Sequence, residues 1–410
     1  MPINDIMPFT ARTLIFSSSP ATRKHDIPIG SGAGLANIGS EYLHCGNLQA
    51  GSHGKLVRSG LIVGWFDVFM LLLLGLLVSG CANQGGIENL TAPEVQTVWP
   101  LPPEQPRVRY LGSLKFLEDV TGKPEQSLVT RLLGKKQENH GLLTKPYGVH
   151  SDGNGRVYVT DTGFAGLIVF DLNDKSVLYW GDSGPGALSK PIGVTSDADG
   201  NVYVSDVVDK RVVVFDKNGK FINAMGGKDL LISPAGLVFN NVNQLLYLVD
   251  VKKHQIVVFN RNGEVEFTIG ERGSEQGKFN YPTNIAVDSR GQSIFVADTL
   301  NFRIQIFDAE GNFISSFGKN GNGPGNFSRL KGVAVDTVGH VYAVDAAFNN
   351  FQVLGQDGNL LLAIGRAGTD AAGFYLPAGA HVDGDNRIFI VDQYNQRIQM
   401  FEYIGPVEEN

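Results

Sequence analysis

Cysteine is nearly absent from this 410-residue chain, which has only Cys45 and Cys81. Both precede the region read below as folded, so no disulfide staples that region. Zinc sites of the Cys₄ or Cys₂His₂ type are excluded by count. An excess of positive charge is also missing. With 34 Lys+Arg against 41 Asp+Glu the formal charge is −7, the reverse of a surface built to neutralise phosphates, and nucleic acid is excluded as an expected partner. No G-x-S-x-G elbow, P-loop or H-E-x-x-H segment occurs, so the common hydrolase, nucleotide and zinc-protease motifs are lacking. What is plentiful is glycine, at 51 residues. These glycines stand between β-branched runs, as in a turn-rich all-β protein.

Residues 61–78 form one long apolar run, broken only by Asp67 and followed by Ser79, Gly80 and Cys81. An apolar segment ending in small residues is the layout of a secretory signal, here predicted over 57–80. The ending Val78-Ser79-Gly80-Cys81 resembles a bacterial lipobox. That resemblance implies lipidation of Cys81, a lipid anchor in the bacterial cell envelope and, with Ala82 rather than Asp following, the outer membrane. An uncleaved transmembrane span is the other reading of such a run. Asp67 opposes it, because a charge near mid-bilayer costs roughly 2.5–3.5 kcal/mol. Residues 1–56 show no periodicity and stand too far ahead of the apolar run for a signal. Either the start is assigned too early, with translation beginning near Val57 and Arg58, or they are a leader without a fold. Residues 81–106 are polar and increasingly Pro-rich, which predicts a semi-extended, flexible tether.

From Pro146 onward a pattern of Pro, a variable residue, Gly and an apolar triplet returns, starting at Pro146, Pro191, Pro234, Pro282, Leu330 and Pro377. A period in the forties with several strands per repeat is the signature of propeller blades. In each repeat a second strand ends in Asp, as in Val202–Asp206 and Ile294–Asp298, and third and fourth strands follow across Gly turns. The sixth repeat lacks its fourth strand. Arg107–Gly112 ahead of the first repeat matches the missing pattern. Borrowing it would close the ring and hide the open sheet edge. The expected fold is all-β, a six-bladed β-propeller of four-stranded antiparallel blades over 107–404, closed by an N-terminal outer strand.

The repeat resembles the NHL repeat, most fully at Asp298-Thr299-Leu300-Asn301-Phe302-Arg303-Ile304-Gln305-Ile306-Phe307, and the resemblance covers about residues 107–402. The first repeat departs from it, with Gly166 where Arg211, Arg303 and Arg397 stand elsewhere. One NHL enzyme, an amidating lyase, holds zinc on channel histidines. NHL domains of ubiquitin ligases are intracellular, but this chain lacks RING-type cysteines.

The Asp closing each second strand (Asp161, Asp206, Asp250, Asp298, Asp345, Asp392) reads as structural, accepting loop N–H groups and pairing with the Arg five residues on. His150 and His381 lie four residues after the repeat start in blades one and six, which are neighbours in a closed ring. Two imidazoles can ligate a divalent metal such as zinc or calcium in the channel, although catalytic sites use a third ligand and none is evident. The loops joining second to third strands carry Phe164, Lys252, Lys253, His254, Phe302, Phe348 and Tyr394, different in each blade. Aromatics on polar loops mark contact surfaces. The expected function is a membrane-tethered binding or scaffold module facing another envelope protein or glycan. The alternative is a metal-dependent lyase or hydrolase acting in the channel.

Overall fold

The computed structural model describes residues 97–122 and 141–405. The leader 1–56, the signal 57–80, Cys81 and the tether as far as residue 96 lie outside the described residues. No helix among the described residues is long and apolar enough to cross a membrane.

The described residues build six antiparallel sheets arranged as blades. The first blade runs from its inner strand outward as Pro146–Ser151, Arg156–Asp161, Gly166–Asp171 and Ser176–Trp180. Four more blades repeat this order, their inner strands starting at Pro191, Pro234, Pro282 and Leu330. The sixth takes Pro377–Val382, Arg387–Asp392 and Arg397–Tyr403 from the C-terminal end and Val108–Leu114 from the N-terminal end. Val108 lies opposite Tyr403 and Leu114 opposite Ile398. Each inner strand touches the next around the axis, the sixth touching the first. The ring therefore closes as the sequence indicated, with the borrowed strand ending at Leu114 rather than Gly112.

One segment differs from expectation. Val98–Trp99, placed in the tether by composition, pairs outside Val108–Leu114 as a fifth strand of the last blade. The Trp99 ring meets the edge of Phe401 at 5.8 Å, and burying that large apolar surface offsets ordering a short proline-flanked strand. A five-residue helix, Leu117–Thr121, follows the closing strand.

The core lies between blades rather than within any one of them. Tyr158, Leu167 and Trp180 of the first blade pack with Val202, Val213 and Phe215 of the second in one buried cluster. Second strands such as Val202–Asp206 are buried throughout. That is why they read as short unbroken apolar runs rather than alternating ones.

The Gly of each repeat start has a steric reason. A Cβ on Gly148 would lie 2.4 Å from the Ile192 carbonyl, and one on Gly379 would lie 2.7 Å from the Tyr147 carbonyl. Inner strands thus crowd one another where they begin, pinching the channel at that end. In the fourth blade Asn284 replaces the glycine, and its Oδ1 accepts the Val333 N–H at 3.3 Å.

The six strand-ending Asp residues are fully buried. Asp206 accepts the N–H groups of Ser189, Lys190, Val208 and Asp209, tying the link that enters the blade to the loop that leaves its second strand. The expected Arg partner is present at Asp298–Arg303 (2.9 Å) and Asp392–Arg397 (2.8 Å). It fails at Asp206. There four backbone donors already fill the carboxylate, and Arg211 instead donates to the carbonyls of Pro185 and Ala187.

Candidate functional sites on two faces

The strand order separates two faces. Loops joining second to third strands, together with the links between blades, emerge on one face, here the loop face. Turns joining first to second and third to fourth strands emerge on the other, the turn face.

On the loop face Tyr394 is 66% and Phe164 41% exposed. Phe164 folds back over Gly166, where a Cβ would come within 2.6 Å of the ring, and rests on Tyr179 at 5.3 Å. Glycine at 166 is thus what lets this aromatic lie outside the blade. Lys252 is exposed, while the Lys253 ammonium donates to the Leu230 carbonyl at 2.6 Å. Phe302 and Phe348 are half-buried. His254, named above as a contact residue, is instead buried. Its Nδ1 accepts the Tyr281 N–H at 3.1 Å and its ring packs edge-on against Tyr281, so it holds the loop rather than presenting a surface.

Sequence reasoning missed further apolar groups exposed on this face: Val208, Ile232, Tyr281, Leu300 and Tyr375. Three of them sit in links between blades, just before an inner strand. The signal available was an apolar residue beside a repeat start, as in Tyr281-Pro282. Lys145, Lys190 and Arg329, each immediately preceding an inner strand, are exposed among them.

The turn face contains the cavity. The channel holds about 250 Å³ between the ends of the inner strands and opens into a shallower mouth of about 490 Å³. His150 and His381 line both, with ring centroids 4.3 Å apart, so the ring closure does bring them together. His150 Nε2 accepts the Ser196 N–H at 3.2 Å and lies 2.8 Å from the Ser196 hydroxyl. His381 Nε2 faces the Ser151 carbonyl at 3.1 Å and donates to it. Poor hydration in the channel wall, then the neighbouring His381, holds His150 well below the usual imidazole range. The same burial takes His381 down to about 4, against the opposing pull of Asp383 and the Ser151 carbonyl. Both rings are neutral at pH 7 with their Nε2 atoms engaged in the wall. Among the described residues no three His, Cys, Asp or Glu side chains converge as a metal site.

A depressed pair of this kind links pH to stability. Between pH 6.5 and about 4 the unfolded chain protonates these rings before the folded one does. Their contribution to stability is therefore complete above pH 6.5 and falls as pH drops through that window. For His381 the ceiling is roughly 3 kcal/mol, reduced by the water that reaches a half-buried ring. Urea unfolding at pH 7 and pH 4.5, on the chain and on His381→Gln, is expected to show a shallower loss in the variant. An equal loss in both would show that His381 contributes nothing to the acid sensitivity.

A six-bladed β-propeller family model matches residues 227–301 and 289–355, and an NHL-repeat model matches residues 188–215. No curated protein matches the chain in sequence. Similar solved structures include an auxiliary nutrient binding protein from Bacteroides thetaiotaomicron, 14% identical with a TM-score of 0.51, the match covering 65% of this chain and 70% of that one. A structural genomics protein of unknown function from the same organism is 17% identical with a TM-score of 0.51, over 63% and 70% of the two chains. Virginiamycin B lyase from Staphylococcus aureus is 16% identical with a TM-score of 0.48, over 64% and 96%. At such identities the likeness is one of fold alone. Repeat, ring closure and family matches agree that the folded part of this chain is a six-bladed β-propeller, with an NHL repeat matched over residues 188–215.

Proposed function

We propose that the chain is a membrane-tethered binding module of the bacterial envelope, whose loop face docks a partner protein bearing apolar and acidic groups. The observation that carries this reading is the collar of exposed apolar side chains on that face: Phe164, Val208, Leu300, Tyr375 and Tyr394, with Ile232 and Tyr281 between them. Apolar side chains gathered on one face and rimmed by polar groups mark an interaction surface, whereas singly scattered ones do not. The interleaved Lys145, Lys190 and Arg329 supply the charge that favours an acidic partner. The lipobox-like ending at Cys81 supports the tether, and the lipid anchor would keep the propeller at a membrane surface, for which the outer membrane is the proposed address.

Affinity capture of the lipidated chain from cells tests the reading. A variant carrying Phe164→Asp, Leu300→Asp and Tyr394→Asp should lose the captured protein by at least about thirtyfold, the effect of one interface anchor worth about 2 kcal/mol. Its melting temperature should stay within a few degrees, because all three side chains are exposed. The same protein captured equally by both forms would reject the loop face as the docking surface.

A further inference from the structure

The channel opens on the turn face, away from the loop-face collar. Val149, Val194, Leu237, Val333 and Val335 are among the apolar side chains of its wall. Among the described residues no Lys or Arg lines the channel or its mouth. His150 and His381 line both, and so stand at their junction. The matching positions of the other four blades hold Thr195, Val238, Ala286 and Ala334, so these imidazoles are not part of what makes a blade.

Hydrogen bonds in the wall fix a different tautomer on each ring. The Ser196 N–H donates, so the His150 Nε2 that accepts it at 3.2 Å carries no proton. In the neutral ring that proton sits on Nδ1. The Ser151 carbonyl accepts, so the His381 Nε2 at 3.1 Å carries the proton, and Nδ1 keeps its lone pair. Burial keeps both rings neutral at pH 7. Among the described residues neither Nδ1 has a hydrogen-bond partner, and neither is one of the fully buried side-chain atoms left without one. Each Nδ1 therefore has surface open to the cavity that its ring lines. With the ring centroids 4.3 Å apart, the wall presents one N–H donor and one acceptor side by side, above an apolar pocket.

We propose that the turn-face channel binds a small neutral molecule bearing a primary amide or lactam group. The ligand carbonyl accepts from His150 Nδ1, the ligand N–H donates to His381 Nδ1, and the apolar body lies against the valine-lined wall. A few placed polar groups over an apolar pocket are how small-molecule sites fix orientation. A ketone satisfies His150 alone. A carboxylate offers no donor to His381 and meets no cation in the wall. A metal chelated by both rings would need the His150 Nδ1 lone pair, and so would break the Ser196 bond that fixes the proton there. At roughly 30 Å³ per water-sized group, the channel volume of about 250 Å³ admits about eight non-hydrogen atoms. The site is independent of the loop-face reading, so either can fail without the other.

The test is a titration of the full chain, labelled with [15N]histidine, followed by the imidazole nitrogen resonances. Three probes of equal size serve: cyclopentanecarboxamide, cyclopentyl methyl ketone and cyclopentanecarboxylate. The free chain should show the proton on Nδ1 of His150 and on Nε2 of His381. The amide is expected to move both Nδ1 resonances with one-to-one stoichiometry. It should bind at least about tenfold tighter than the ketone or the carboxylate, the worth of one hydrogen bond. His381→Phe keeps a ring but no lone pair, and should bring the amide down to the affinity of the ketone. Tautomers and ranking are both read on the unaltered chain, so the test stands whether or not the variant folds. The assignment is overturned if either tautomer is the opposite one, if the amide does not bind, or if the ketone or carboxylate binds as tightly. Amide binding that leaves the two Nδ1 resonances unmoved, or a preference that survives His381→Phe, would overturn it too.

Discussion

Replacing Asp392 by alanine is expected to destabilise the propeller by about 3–5 kcal/mol, the cost of stranding a buried partner charge. The carboxylate is fully buried and accepts Tyr375 N–H at 2.8 Å, Asn395 Nδ2 at 2.7 Å and Arg397 Nε at 2.8 Å. Arg397 is itself buried, its Nη2 held by the carbonyls of Asp370 and Gly373. Without Asp392 those neutral acceptors remain but the counter-charge does not. The stranded charge, rather than the lost hydrogen bonds alone, sets the size of the effect. A double variant, Asp392→Ala with Arg397→Met, should therefore recover about 2 kcal/mol of the loss, since an apolar side chain of similar length fills the space without a charge. Urea unfolding measures both. A double variant less stable than the single one would mean that the Arg397 contacts to carbonyls, not its pairing with Asp392, stabilise this corner.

Phe401→Ala is expected to cost a further about 3–5 kcal/mol, the range for emptying a buried aromatic site. Its consequence is local before it is global. Phe401 is fully buried and its ring meets Tyr110 of the closing strand at 5.4 Å, Trp99 at 5.8 Å and Phe351 of blade five at 5.3 Å. It joins the first and last parts of the propeller to the adjacent blade. Removing it should release the closing strand first, so amide exchange at Val108–Leu114 should accelerate well before that of the second strands in blades two to four. Uniform acceleration across all blades would show instead that the ring opens only by global unfolding.

The architecture was legible because its determinants are local and repeated. Strand-ending Asp residues recur in all six blades and Pro-x-Gly starts in four of them, and each has one steric or hydrogen-bonding cause. The borrowed strand was legible by subtraction, because the last repeat ended one strand short. Val98–Trp99 was not, since two apolar residues among prolines read as tether until Phe401 offers a surface to cover. The Arg partners of the strand-ending Asp were half legible. Asp298 and Asp392 keep them, whereas the backbone of the second blade fills Asp206 and sends Arg211 elsewhere.

Exposure was the least legible property. His254 and Tyr281 look equally able to face a partner in the sequence, but Tyr281 lies on the outside and His254 beneath it, accepting its N–H. The turn-face cavity was hidden for a similar reason. Its wall comes from the inner strands of all six blades, which converge only when the ring closes.

The most direct test of the binding reading is site-specific photo-crosslinking in cells, with the crosslinking residue placed singly at Leu300, Tyr394 and Val242. Leu300 and Tyr394 lie exposed on the loop face, and Val242 lies exposed on the turn face. The proposal predicts adducts to one and the same protein from Leu300 and Tyr394, and none to that protein from Val242. Adducts from Val242 alone, or no adduct from either loop-face position, would contradict it.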